Sequence, residues 1–368
     1  LTDLGKSTVV GTLRVHMTGS EWFSAVPGGL NRYFTDLYLA LAGCSGLEVT
    51  ASAFGEPAGA GGSWGPASGS TLRRVRTTLL DRRELTPGTV LDRHFCLYGP
   101  IAAGARGKLP LVVHFHGPWA AESAQAGESS RAVRAKYLVE RLRYARADRF
   151  VVLSTHFRDL LAGDYGIDPA RITVIPPGVD LSEFPDSAPP PQDTPRTVLC
   201  VRRLERRMGI DVLLDAWPRV IAAHPGTRLT IVGTGTAEAE LRTQAAALDS
   251  VEFTGRVDDA TLTELYGRAT LTVVPTRSLE GFGLVALASL AAGRAPVVTD
   301  CGGLPDSVRG LDTSLVVPAG DRDALAERLI AALDGKVPSA ERCREHAASF
   351  SWDAAARRHL ELYRELAG

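Results

Sequence analysis

Eight short runs rich in β-branched residues, each followed by a longer stretch of helical period, set the tightest limit on how this chain can fold. "LRVHM", "LEVTASAF", "PLVVHFH" and "RFVVLS" lie in the first half, and "RTVLCV", "RLTIVG", "LTVVPT" and "APVVTD" in the second. Between the runs apolar residues recur at intervals of three and four. Ile210, Leu213, Leu214, Trp217, Val220 and Ile221 form one such stripe, the mark of a helix with one buried face. Strands that alternate with helices pair in parallel, because the crossover needs the helix, and such sheets are covered on both faces.

The alternation occurs twice, interrupted by "FPDSAPPPQDTP" from Phe184 to Pro195. Its prolines permit neither a helix nor a central strand. At 368 residues the chain exceeds one ordinary core and fits two. The expectation is an α/β chain of two Rossmann-like domains facing across a cleft, residues 1–186 and 187–350, with the proline-rich stretch as hinge. Gly55 to Ser70 reads as an irregular loop inside the first domain. Ligands of open α/β sheets sit beyond the carboxyl ends of strands, so functional residues are expected directly after strands.

A net charge of −1 lacks the basic excess of a nucleic-acid binder. No apolar run reaches the ~18 residues of a membrane span, and "LTDLGKSTVVGTLRVHM" lacks the order of a secretory signal. The five cysteines, Cys44, Cys96, Cys200, Cys301 and Cys343, are odd in number and contain no C-x-x-C pair. They read as buried thiols in a reducing compartment rather than as disulfides or a zinc site, which places the protein in the cytoplasm.

The motifs do follow strands. After "LTVVPT" comes "LEGFGLVALASLAAG", Leu279 to Gly293. A helix starting about Gly283 offers free N–H groups and a positive end to an anion, and the glycines admit a phosphate. Glu280 would then accept hydrogen bonds from a hydroxyl-rich group attached to that phosphate. Its plain alternative is a first-turn acid complementing the helix dipole. "PGGLNRYF", Pro27 to Phe34, is a second glycine turn opening a helix. "HFHGPW" places His114 and His116 two apart, on one face of an extended strand. With no third ligand at clear spacing, a cleft-facing hydrogen-bonding histidine is favoured over a metal pair. "VRRLERRMG", Val201 to Gly209, packs four arginines after a strand, where a diphosphate needs cations. "IVGTGT" is a lone G-x-G without the full dinucleotide fingerprint, which discounts a nicotinamide cofactor. "RAVRAKYLVERLRYARAD" reads as a core-packing helix with Val133, Tyr137, Leu138 and Leu142 inward. The basic "LRRVRTTLLDRR", Leu72 to Arg83, reads as a solvated face, so peripheral membrane contact is not favoured.

In this order the motifs, together with "VVLSTHF", "ITVIPPGVDLSEF", "VEFTGRVDDATLTELY" and "DCGGLPD", resemble those of the retaining glycosyltransferases of family 4, over nearly the whole chain. The resemblance implies the GT-B fold, a nucleotide-sugar donor, an acceptor hydroxyl, and neither cofactor nor metal. It implies that the C-terminal helix, about 351–368, packs back on the first domain. Gly28 and Gly29 match the glycine loop near the diphosphate, His116 the histidine on the transferring sugar, and Arg203 the diphosphate arginine. Val257 matches a residue whose backbone meets the base, and Glu280 the first acid of the E-x7-E motif. Gly281, Phe282, Gly283, Leu284 and Val285 line the phosphates. Two positions depart from the pattern: the second acid is Ala288, and the usual lysine is Met208, with Arg207 beside it as a substitute. A nucleotide-sugar epimerase and a catalytically degenerate nucleotide-sugar binder remain alternatives. The base, the sugar and the acceptor stay open.

Overall fold

The computed structural model describes residues 12–81, 85–100, 103–104, 107–185 and 195–367. The stretch read for a signal (up to residue 11), the hinge residues 186–194, and Arg82 and Arg83 of the basic segment lie outside the described residues. Strands β1 (Leu13–Glu21), β2 (Leu47–Phe54), β3 (Gly62–Ser63), β4 (Val90–Arg93), β5 (Ala103–Gly104), β6 (Gly107–Lys108), β7 (Leu111–Phe115), β8 (Arg149–Val152) and β9 (Ile172–Val174) precede the proline-rich stretch. Strands β10 (Thr197–Val201), β11 (Arg228–Val232), β12 (Val251–Gly255), β13 (Leu271–Val274), β14 (Pro296–Thr299) and β15 (Val316–Val317) follow it. All eight β-branched runs are strands: β1, β2, β7, β8, β10, β11, β13 and β14.

The strands form two α/β sheets of Rossmann type, with order β3-β2-β1-β4-β7-β8-β9 and β12-β11-β10-β13-β14-β15, besides the small β5-β6 hairpin. Every pair registered within the second sheet is parallel. Its order reverses between β10 and β13, a topological switch point that leaves a crevice beyond the strand ends. The chain divides into two compact units. One comprises Leu1–His114, Leu138–Val151 and Ala356–Gly368; the other comprises Phe115–Tyr137 and Val152–Ala355. Among the described residues no helix is long and apolar enough to cross a membrane.

The core of the second unit forms on the apolar stripe foreseen for the helix Ile210–Ala223. Ile210, Leu213, Leu214, Trp217 and Val220 are buried against Val198, Leu229 and Leu271, with Ile221 packed at the margin. Each fully buried side chain of this size contributes roughly 1.5–3 kcal/mol. The cysteines are free thiols, four of them buried and Cys44 half-buried.

The helix Ser130–Tyr144 is rotated from the expected orientation. Leu138 and Leu142 are exposed, while Glu140 and Tyr144 are buried. Arg143 decides this, because its guanidinium donates to the carbonyls of Cys96, Tyr98 and Gly99 at 2.7, 2.9 and 3.0 Å. Carbonyls packed inward need donors, and satisfying them outranks covering two leucines.

At the centre of the first unit lies a charged group. Asp92 on β4 is fully buried. Its carboxylate accepts from Tyr363 Oη at 2.6 Å and faces His94 Nε2 at 3.3 Å and His114 Nε2 at 3.0 Å. Burial opposes its ionisation, but His114 and His94 more than offset that and hold its carboxyl well below the usual range. Burial in turn pushes the His114 imidazole down to about 4, against the pull of Asp92. Both folded values lie below the unfolded ones, so both contributions are present at neutral pH and lost in acid. For His114 the loss begins near its ordinary value of 6.5 and runs to about 4, on the order of 3 kcal/mol over that window. Amide exchange at β4, followed from pH 7 to 4, should show that decline. A flat profile would mean that His114 is not held neutral.

Candidate functional site

The second unit gathers three arginines where β10 ends. Arg202, Arg203 and Arg207 occupy the turn between β10 and the helix Ile210–Ala223, on one side of the switch point. Across it, β13 ends at Val274 and the chain runs through Thr276 to Glu280. Arg202 turns inward, its side chain only 7% exposed, and pairs with Glu280 through Nη2. The same nitrogen donates to Thr276 Oγ1. Arg203 points outward and is exposed. Arg207 holds the loop, with Nη1 donating to the carbonyls of Leu279 at 2.8 Å and Ser278 at 3.4 Å. Its Nη2 lies 3.7 Å from Glu122. Burial lowers the pKa of Arg207, Glu122 opposes that, and Arg203 reinforces it. Arg202 and Arg207 thus face the carboxylates of Glu280 and Glu122, while Arg203 makes no ion pair among the described residues.

The loop that Arg202 and Arg207 hold is strained. Leu279 has φ of 56°, the one positive φ outside glycine among the described residues, a conformation that costs an L-residue roughly 1–2 kcal/mol. The turn is pinned from the other side by "DCGGLPD", since Gly303 N–H donates to the Glu280 carbonyl at 3.0 Å. Gly302 has φ of 57°, and a Cβ there would sit 2.1 Å from the Glu280 carbonyl oxygen. Only glycine permits that crossing. Gln125 accepts from Ser278 Oγ at 3.0 Å, so the helix Trp119–Gln125 also braces the loop.

The helix behind Glu280 runs from Leu284 to Ala291, with Gly283 as its N-cap at φ of 95° and no side-chain cap. Its start therefore presents backbone N–H groups that no side chain caps. Glu280 stands three residues ahead of the N-cap, and no acid occupies the first turn. Glu280 is therefore not a first-turn acid of this helix. Ala286, Leu287, Leu290 and Ala291 are buried, as is Phe282, whose ring lies 5.5 Å from that of Phe350. Leu284, Val285 and Ala288 form the partly exposed face. Met208 is buried in the core of the unit.

Arg203, Arg207, Glu280, Gly281, Phe282, Gly283, Leu284 and Val285 are thus brought together around the switch point. His116 is half-buried in the same unit, three residues before the helix that carries Glu122. Val257 follows β12 in a loop and makes no hydrogen bond to this cluster among the described residues. Gly28 and Gly29 belong to the first unit, as N-cap and first residue of the helix Gly29–Ala42. Gly28 is extended at φ of 170°, and a Cβ there would meet nothing within 4 Å, so the surrounding packing does not require glycine.

Arg202, Thr276 and Glu122 were not singled out from the sequence. Adjacent residues leaving a strand point to opposite sides, so one of Arg202 and Arg203 had to turn inward; the sequence did not say which.

Residues 195–335 match the family described as Glycosyl transferases group 1, and residues 27–183 match Glycosyltransferase Family 4. A glycogen synthase of Mycobacterium tuberculosis is 31% identical, covering 95% of this chain and 94% of that protein. The sucrose-phosphate synthase from Thermosynechococcus elongatus superposes with a TM-score of 0.77 at 23% identity, over 96% of this chain and 99% of that one. Anabaena HepE, solved in complex with UDP, does so with a TM-score of 0.69 at 16% identity, over 96% of this chain and 100% of that one. Likeness at these two identities is likeness of fold.

Proposed function

The chain belongs to the GT-B glycosyltransferases, and from that premise we propose a retaining, metal-independent hexosyltransferase of the cytoplasm. It moves a sugar from a nucleoside-diphosphate sugar to a hydroxyl of a small molecule or glycoconjugate precursor. The observation that carries the reading is Glu280, fixed by Arg202 ahead of an uncapped helix start, with Arg207 bracing its loop and Arg203 exposed on the same turn. A carboxylate there suits sugar hydroxyls, and the unpaired guanidinium of Arg203, with Arg207 and uncapped N–H groups, suits a diphosphate.

In the proposed reaction the acceptor oxygen bonds to the anomeric carbon on the face from which the diphosphate departs. The anomeric carbon–oxygen bond to that phosphate breaks, and a phosphate oxygen receives the acceptor's proton. The protein supplies position and charge stabilisation. Arg203 and the N–H groups at Gly281 to Val285 stabilise the leaving diphosphate, with Arg207 adding charge from the loop it braces. His116 and Glu280 orient the sugar, and Val257 meets the base.

Ala288 sets the first experiment. It lies on the partly exposed face of its helix, where a glutamate could bond a ribose diol. A charge-assisted hydrogen bond is worth ~1.5–3 kcal/mol. Calorimetric titration with UDP, GDP and dTDP should find one nucleotide that binds, and Ala288→Glu should bind it at least tenfold tighter. UDP is the first to try, given HepE. Equal affinity would place the ribose on other residues, and no binding by either protein would end the transferase reading. Ala288 also favours a second reading, a non-catalytic binder, which donor hydrolysis or transfer above background would exclude. Product analysis without acceptor separates an epimerase, which alters the donor alone.

A further inference from the structure

Both contacts that fix the Glu280 carboxylate fall on one oxygen. Arg202 Nη2 donates to Oε2, and Thr276 Oγ1 reaches the same Oε2 at 3.5 Å. Among the described residues no hydrogen bond engages Oε1. The main chain is held on either side, by Arg207 at the Leu279 carbonyl and by Gly303 at that of Glu280. A carboxylate can accept about four hydrogen bonds, so the occupied oxygen defines the direction in which the open one points.

The arginine is not placed as a stabilising fork would be. A guanidinium that serves an ion pair at full strength uses two parallel N–H groups on two carboxylate oxygens. Here Nη2 alone serves both acceptors, and Arg202 Nε is buried without a hydrogen-bond partner among the described residues. The pair thus gives up the bidentate bond and keeps Oε1 open.

We infer that Arg202 is a positioning residue for sugar selection: it takes Oε2 of Glu280 so that Oε1 is offered, at a fixed angle, to one hydroxyl of the donor sugar. The inference rests on the reading that Glu280 meets that sugar. A rigidly held acceptor rejects an analogue lacking the hydroxyl far more strongly than a mobile one does. Arg202 therefore governs discrimination among sugars and leaves the nucleotide alone.

The test measures binding of UDP, GDP and dTDP, and of UDP-glucose, GDP-mannose and dTDP-glucose with their monodeoxy-sugar analogues. The proteins are the intact chain, Arg202→Met, Arg202→Lys, Glu280→Gln and the Arg202→Met/Glu280→Gln double variant. Arg202→Met should leave diphosphate binding within twofold, weaken the preferred nucleotide sugar at least tenfold, and flatten the preference over its deoxy analogues. Arg202→Lys, which keeps one donor to Oε2, should recover most of the loss. In the Glu280→Gln background Arg202→Met should change nothing beyond twofold. A similar loss in that background means that Arg202 acts by itself, and no loss in either means that it does not act; both overturn the inference. If Glu280→Gln alone binds nucleotide sugar as the intact chain does, the reading of Glu280 has failed, and this shows without any Arg202 variant. A crystal structure of Arg202→Met decides the case in which no sugar nucleotide binds. Glu280 swinging away from Thr276 supports the inference, and Glu280 staying in place overturns it.

Discussion

Replacing Arg203 by alanine should lower kcat/KM by about a hundred- to a thousandfold, the usual consequence of removing one preorganised donor from a developing anion, equivalent to ~3–4 kcal/mol. The fold should not register the change. Arg203 is exposed, and among the described residues its side chain makes no hydrogen bond or ion pair, so alanine should shift the melting midpoint by no more than a typical surface substitution. That separation makes the variant informative. Arg202 and Arg207 are bound up with the loop at Ser278 to Glu280, whereas Arg203 has no such structural duty. Arg203→Lys keeps a charge but loses the planar fork and should recover only part of the rate. Steady-state kinetics with the nucleotide sugar identified by titration, beside a thermal melt, gives the answer. Near-normal turnover in Arg203→Ala would remove this residue from the diphosphate site.

The largest loss of stability is expected from Asp92→Ala. The carboxylate serves Tyr363, His94 and His114 together in a fully buried position. Removing one partner of a buried charged group costs about 3–5 kcal/mol, because the others are left buried without their acceptor. Amide exchange should show the loss across β1, β4 and β7 and along the helix from Ala356 onward, which carries Tyr363, while the second unit's β10 and β11 keep their protection. Isosteric Asp92→Asn restores an acceptor for Tyr363 and should be milder. If Asp92→Ala costs less than about 1 kcal/mol, the carboxylate is not an ionised hub of this core.

The two predictions draw on opposite ends of what the sequence discloses. Eight strands, the buried face of the helix Ile210–Ala223 and the glycine-opened helix at Leu284 were legible because each rests on local period or on a residue type with one conformational meaning. The cluster around Arg203 and Glu280 was legible for a related reason. The motifs stand directly after β10 and β13, and strand order alone brings those ends together at the switch point.

What the sequence hid was held by charge inside the fold. β4 reads "VLDR", with an aspartate and an arginine in four residues, and is not among the eight runs that read as strands; yet it lies between β1 and β7 with every residue buried. The histidines and tyrosine that make this possible come from β7, the segment after β4 and the C-terminal helix. The rotation of the helix Ser130–Tyr144 depends in the same way on carbonyls that only the folded chain places beneath Arg143. So does the choice between Arg202 and Arg203, equal in composition, one locked to Glu280 and one turned outward. Period and residue type determine where apolar surface goes, since burial needs no particular partner. A buried charge is tolerable only against specific groups at a few ångströms, and those groups come from distant parts of the chain.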